Sequence, residues 1–317
     1  MIEAVHRIGQ KTYGAWGNHT ATIDWCEDNY THSHYVAEWY NTISNIPFVL
    51  LGIYGAYSAL RTIPGSKPLP HGGRYAATNL GVTAIGIGSF IFHATLKWHA
   101  QVLLDELPMI FVASLMLYLV CADSERWQAT GDRWKLKLGL AAVPTGVSAL
   151  YLYFPNPVLH QVCFATIQLT TTYRTILLFR TAPKTIPQAD LRTAKHYILS
   201  GSLLFILAFA IWNVDNIWCD AWTDLRNYFW SMSGGSMSGL GVLVGAVTQG
   251  HAWWHLLTGV GCSRIAIGTT YLMLSRRHPG AFEMTSPVLG LVPAVRWRRA
   301  PAGSGGPSGS AKMDKWM

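Results

Sequence analysis

The sequence predicts an all-α membrane protein. Its fold is a seven-transmembrane helix bundle, with the N-terminus lumenal or outside and the C-terminus cytosolic. Three observations predict it. Half of the 317 residues are hydrophobic and only 13% are charged, against about a quarter charged in an ordinary soluble domain. Seven apolar runs, at 39–60, 75–97, 101–121, 138–155, 158–179, 196–218 and 239–274, approach or exceed the roughly 20 residues a helix needs to cross a bilayer. The basic residues are divided unequally: 18 follow the first, third, fifth and seventh runs, and four (Arg7, Lys11, Lys97, Arg226) lie on the other side. Basic segments stay in the cytosol, which orients the bundle. This composition excludes a disordered chain and argues against a soluble enzyme. The positive charge is accounted for by topology, so nucleic acid is not an expected partner.

Residues 1–38 are polar and aromatic with no apolar core near the start, so the first run is expected to act as its own insertion signal. The fourth and fifth runs are separated by Phe154-Pro155-Asn156-Pro157, a tight turn between antiparallel helices. The seventh run is long enough to overhang the membrane or to begin as a Gly-rich loop. Residues 301–317 are rich in Gly, Ser and Pro and read as a disordered tail; the basic residues before and within it serve as a topology signal or touch anionic lipid. A soluble bundle with two buried core helices is the alternative, but the loops are too short to supply a solvated shell. Cys121, Cys163 and Cys262 fall in or at the ends of runs. Cys26 and Cys219 alone lie on the outer, oxidising side and can form a disulfide; the alternative is two free thiols.

Ionisable residues inside a span are costly and tend to be functional. Here they gather toward the outer helix ends: Ser89 and His93 in the second run, Asp105 at the start of the third, Asp215 and Asn216 at the end of the sixth, and His251 and His255 in the seventh. His251 and His255 are i and i+4, one turn apart on one helix face. With His93 they make three imidazoles with an open fourth position, the zinc arrangement that activates water. Ser89 shares the face of His93. A chance pair of core histidines would account for His251 and His255 alone, not for His93, Ser89 and Asp105 at the same depth. His99 competes with His93, but its neighbours Lys97 and Trp98 place it in a turn.

A separate group, Asp24-Trp25-Cys26-Glu27-Asp28-Asn29 with Glu38 following, offers hard oxygen ligands of the kind that suit Ca²⁺. It lacks the spacing of the helix–loop–helix calcium motif. A solvated acidic turn capping the first run is the alternative.

These same stretches, together with Ala37-Glu38-Trp39-Tyr40-Asn41-Thr42-Ile43-Ser44-Asn45, Phe92-His93-Ala94-Thr95-Leu96, Leu103-Leu104-Asp105-Glu106-Leu107-Pro108, Trp212-Asn213-Val214-Asp215-Asn216 and His251-Ala252-Trp253-Trp254-His255, resemble the alkaline ceramidase family over about residues 14–260. The resemblance implies a seven-helix membrane amidase of the endoplasmic reticulum or Golgi that hydrolyses ceramide, dihydroceramide or phytoceramide to a sphingoid base and a fatty acid, with no obligatory protein partner. It implies Zn²⁺ on His93, His251 and His255, with Ser89 and Asp105 completing the catalytic group. It implies Ca²⁺ on Asp24, Trp25 (through its backbone carbonyl), Glu27, Asn29 and Glu38, and a Cys26–Cys219 disulfide. The domain reading is then a lumenal segment 1–38, a catalytic bundle 39–274 and a basic, partly disordered cytosolic tail 275–317.

The family pattern differs in two places. The stretch from His93 to Asp105 carries one extra residue here, and inside a regular helix that residue would turn Asp105 by about 100°. The segment 228–248, rich in Gly, Ser and Met, is longer than expected and could cover the site as an outer flap. In the expected chemistry zinc activates water, Ser89 stabilises the oxyanion, and Asp105 passes the proton to the leaving amine. Asp215 and Asn216 are candidates for orienting a histidine, and Phe90, Leu103 and Phe209 for lining acyl pockets. A seven-helix lipid-binding receptor without catalytic activity is the first rival reading. A metal transporter is the second, but it would need polar residues through the whole membrane thickness.

Overall fold

The computed structural model describes residues 14–60, 68–122, 133–154, 156–232, 239–288 and 292–298. In chain order these form α1 (Trp39–Ile43), α2 (Ile46–Leu60), α3 (Gly72–Thr95), α4 (Trp98–Ala100), a π-helical turn (Gln101–Glu106), α5 (Leu107–Ala122), α6 (Arg133–Tyr153), α7 (Pro157–Arg180), α8 (Gln188–Ile217), α9 (Cys219–Met232), α10 (Leu240–Val247), α11 (Gly250–Arg277) and an antiparallel hairpin of β1 (Phe282–Val288) and β2 (Val292–Trp297). The tail 301–317 and much of the basic inter-helix segments lie outside the described residues.

Six segments are long and apolar enough to cross a membrane: Trp39–Leu60, Gly72–Thr95, Trp98–Ala122, Trp134–Tyr153, Pro157–Arg180 and Gln188–Ile217. They match the first six apolar runs. Their outward faces expose Leu138, Leu150, Leu169, Leu203 and Ile206. Apolar surface this extensive is stable in lipid, not in water, and the chain is an integral membrane protein.

The seventh run, 239–274, is divided. It forms the short α10 and then α11, with the break at Thr248–Gln249. α11 has 28 residues, about 42 Å at 1.5 Å per residue, which is ample length. It is less apolar than the other six because it carries His251, His255, Arg264, Arg276 and Arg277.

Two packing features position the histidine-bearing helices. α8 and α11 approach closely because glycine faces glycine: a Cβ on Gly201 would lie 2.6 Å from the Gly261 carbonyl oxygen. Small residues at such a crossing let the backbones meet. The N-terminal segment folds over the end of α3, where Ala37 N–H donates to the Ala94 carbonyl, Glu38 N–H to the His93 carbonyl, and Thr20 and Ala21 N–H to the Leu96 carbonyl. Leu96 adopts a left-handed conformation (φ 49°) to end α3, and its buried side chain packs with Ala37, Phe92 and Ala100. The largest apolar core includes Tyr75, Ile110, Leu117, Tyr271 and Leu272, with Phe282 and Val295 of the hairpin.

Candidate metal centre

α3 supplies Ser89 and His93, one turn apart, and α11 supplies His251 and His255, likewise one turn apart. Their helices converge, and the three imidazole rings lie 4.6–4.9 Å apart centre to centre. One nitrogen from each falls within 4.8 Å of the others, and all three histidines are buried. Among the described residues no second group of three or more His, Cys, Asp or Glu donors closes in this way.

Hydrogen bonds assign the tautomers. His93 Nδ1 lies 2.5 Å from Glu38 Oε2; it donates to the carboxylate, which leaves the lone pair on Nε2. The Ser44 hydroxyl donates to the Asn41 carbonyl (2.9 Å), so its oxygen accepts from His255 Nδ1 at 2.8 Å and the His255 lone pair is also on Nε2. Partners of this kind orient metal-ligating histidines. His251 is held by its face instead, stacked on the Trp25 indole at 3.9 Å and 17°.

A metal fits these donors. His251 Nε2 faces His93 Nε2 at 3.3 Å, while His251 Nδ1 is buried with no hydrogen-bond partner. Zn–N bonds of 2.0–2.1 Å in a tetrahedron set their nitrogens about 3.3–3.4 Å apart, which matches this separation.

Ser89 stands beside the histidines, its Oγ 3.4 Å from His255 Nε2, and it lies near enough to the Asp105 carboxyl to interact with it. Asp105 lies in the π-helical turn. A π-turn holds one more residue than the α-turn it replaces, and this turn is what brings Asp105 toward Ser89. Gly88 makes the approach possible. A Cβ at that position would sit 1.8 Å from the Leu104 carbonyl oxygen.

Asp215 acts on the backbone before the first histidine of α11. Its Oδ1 accepts the Gly250 N–H at 3.1 Å, capping the helix that begins one residue before His251. Asn216 is exposed. Phe90, Leu103 and Phe209, expected to line acyl pockets between helices, are exposed on the bundle surface instead.

The N-terminal acidic group sits directly against this centre. Glu38 is fully buried; besides His93 it accepts from Trp25 N–H (3.2 Å) and the Asn41 side chain (3.2 Å). Glu27 accepts Tyr40 N–H at 2.7 Å and Asn41 N–H at 2.8 Å, satisfying the open first turn of α1. Asn29 donates to Asp24 (3.1 Å). Burial, reinforced by the charge of Glu38, pushes the Glu27 carboxyl up to about 8. Burial, with the charge of Asp24 next, lifts Glu38 well above the ordinary carboxylate range. Glu27 and Glu38 are buried carboxylates of the kind a divalent cation would relieve, whereas Asp24 is exposed and the three carboxylates do not close into one cluster as the histidines do. Cys26 and Cys219 are joined in a disulfide that ties the segment to the start of α9, and Arg226 donates to the Cys26 carbonyl at 2.6 Å.

Sequence reasoning assigned Glu38 to calcium alone and gave no role to Ser44, Asn41 or the Trp25 ring. The signal was present: Asn41, Thr42, Ser44 and Asn45 interrupt the start of an otherwise apolar run. Polar groups there need partners, and these find His255 and Glu38.

A family model described as Ceramidase matches residues 17–295. Alkaline ceramidase 3 of Mus musculus is 35% identical over 263 residues, covering 82% of this chain and 85% of that protein. Alkaline ceramidase YPC1 of Saccharomyces cerevisiae is 32% identical over 261 residues, covering 78% and 75%. An alkaline ceramidase of Arabidopsis thaliana is 28% identical over 286 residues, covering 89% and 94%. The matched region contains the three histidines, Ser89 and Asp105 as well as the acidic segment packed against them, and the chain belongs to the ceramidase family.

Proposed function

We propose that this protein is a zinc-dependent amidohydrolase that splits the amide bond of ceramide, dihydroceramide or phytoceramide, releasing a sphingoid base and a free fatty acid. The observation that carries the reading is the convergence of His93, His251 and His255 beside neighbouring Ser89 and Asp105 side chains in a member of this family. The fold is read as seven spans, α11 being the seventh, with the N-terminus outside or lumenal; the bias of basic residues supports it. Location in the endoplasmic reticulum or Golgi follows from the same resemblance.

His93, His251 and His255 would hold the zinc. When bound, the ion supplies Lewis acidity toward the amide carbonyl and makes water a nucleophile near neutral pH. The chain's own groups do the rest. Glu38 and Ser44 fix the tautomers of His93 and His255 so that both Nε2 lone pairs face inward. The Ser89 hydroxyl is a short donor for the oxygen that gains charge as the carbonyl is attacked. Asp105 accepts the proton of the attacking water and returns it to the amine nitrogen as the C–N bond breaks. Water thereby adds across the amide.

Because Phe90, Leu103 and Phe209 face outward, the acyl chain and sphingoid tail lie along the lipid-facing surface, with the polar head at the outer end. Asp24, Trp25, Glu27, Asn29 and Glu38 would hold calcium; through Glu38 and the Trp25–His251 stack, that segment braces two of the three histidines.

The test is metal analysis of purified protein combined with release of fatty acid from labelled ceramide. One zinc per chain with chelator-sensitive release supports the reading. Binding of ceramide without metal or release would favour the lipid-receptor alternative.

A further inference from the structure

Asp105 meets Ser89 because the chain runs there as a π-helical turn, and the next residue holds that turn. Glu106 is buried and has no part in the proposed chemistry. One carboxylate oxygen accepts the Tyr151 hydroxyl of α6 at 2.6 Å. The other accepts the Gln101 side-chain amide at 3.1 Å, joining the first and last residues of the π-turn. Its backbone carbonyl accepts His160 Nε2 of α7 at 2.8 Å. Gln101 is pinned in turn: its oxygen accepts Thr22 N–H at 2.8 Å and its amide donates to the Thr22 hydroxyl at 2.8 Å. The turn is therefore tied to α6, to α7 and to the N-terminal segment.

A π-turn is less favourable than α-helix and recurs where a function depends on it. Relaxing this one into α-helix would rotate the residues about it by roughly 100°. Rotation would carry the Glu106 carboxylate away from Tyr151 and Gln101, stranding buried polar groups. The network therefore opposes the one rearrangement that would take Asp105 from Ser89.

We propose that Glu106, anchored by Tyr151, is a positioning residue that keeps the π-turn in register and so holds Asp105 on Ser89. This rests on the reading of Asp105 as the proton acceptor. The experiment is a double-mutant cycle in the purified full-length protein, reading kcat and KM for ceramide and zinc content in each variant. Glu106→Gln is expected to lower kcat about 10-fold or more, the scale of a sub-ångström to 1 Å misplacement. KM should stay within about 2-fold and zinc content should be unchanged, because uniform binding is untouched. In an Asp105→Asn background the same change should cost no more than about 2-fold, because the two act as one unit. Should Glu106→Gln fail to fold, Tyr151→Phe removes only a hydroxyl and runs the same cycle. Equal losses in both backgrounds, or a rise in KM at unchanged kcat, overturn the inference alone. Wild-type turnover by Asp105→Asn overturns the reading of Asp105 and this inference with it.

Discussion

Gly88→Ala is the smallest change that should separate the two halves of the reacting pair. The new Cβ would lie 1.8 Å from the Leu104 carbonyl oxygen and 2.4 Å from its carbonyl carbon. Both are backbone atoms, so no rotamer change can relieve the clash. Ordinary contact begins at 3.4 Å, so α3 and the π-turn must separate by roughly 1.6 Å. Overpacking of this kind costs about 1–3 kcal/mol of stability, which a bundle of this size should survive. Catalysis is less tolerant: a misplacement of about 1 Å between reacting groups can cost about 10²-fold. The expected outcome is a folded protein with kcat for ceramide hydrolysis reduced about 100-fold. Gly81→Ala is the matched control, because its Cβ meets only the tip of the Val112 side chain on the facing helix; it should lose far less. The assay is fatty-acid release from labelled ceramide by purified protein, with melting temperature measured alongside. Turnover by Gly88→Ala equal to that of Gly81→Ala would refute the claim that close backbone approach sets the Ser89–Asp105 pair.

His251→Ala should remove both bound zinc and hydrolysis, read by metal analysis and fatty-acid release, since it deletes one of three donors. Cys219→Ser should lower the melting temperature, by an amount equivalent to about 2–5 kcal/mol, and reductant should reproduce the shift in the wild type. Calcium should bind more tightly as pH rises toward about 8, because Glu27 and Glu38 must lose protons held by burial; calorimetry in buffers of different ionisation heat would register the released protons. In calcium-free protein the sign is opposite. Glu27 binds a proton in the folded chain between about 4.5 and 8 that the unfolded chain has lost, so thermal stability should fall with rising pH across that window.

The apolar runs were legible because bilayer thickness fixes their length, and six of them recur as helices, the sixth beginning at Gln188 rather than at 196. The seventh was legible as a stretch but not as two helices. Gly239 and Gly250 flank α10 in a composition that hydropathy alone cannot divide. The pairing of Cys26 with Cys219 followed from the expected topology, which puts these two cysteines on one side. The histidines were found because ionisable groups in a span demand a reason, and spacing alone put His251 on the face of His255.

What sequence could not supply was the contact between distant segments. Glu38 reads as a ligand of the acidic group, yet its carboxylate reaches His93 across 55 residues of chain. Nothing local in the stretch from His93 to Asp105 says whether it runs as regular helix or breaks. A π-turn, stabilised by Tyr151 and His160 from helices far along the chain, is a tertiary outcome with no local signature. Phe90, Leu103 and Phe209 were misjudged for a related reason: in a membrane protein an apolar residue satisfies the outer face as well as the core.

X-ray absorption at the zinc edge on the purified protein addresses the three-histidine centre most directly. The expected spectrum is one zinc per chain with three nitrogen neighbours at about 2.0–2.1 Å and an oxygen as the fourth, without sulfur, and with bound zinc lost in His93→Ala. Sulfur ligation, or a spectrum unchanged by removal of His93, would contradict the convergence of α3 and α11 on one ion.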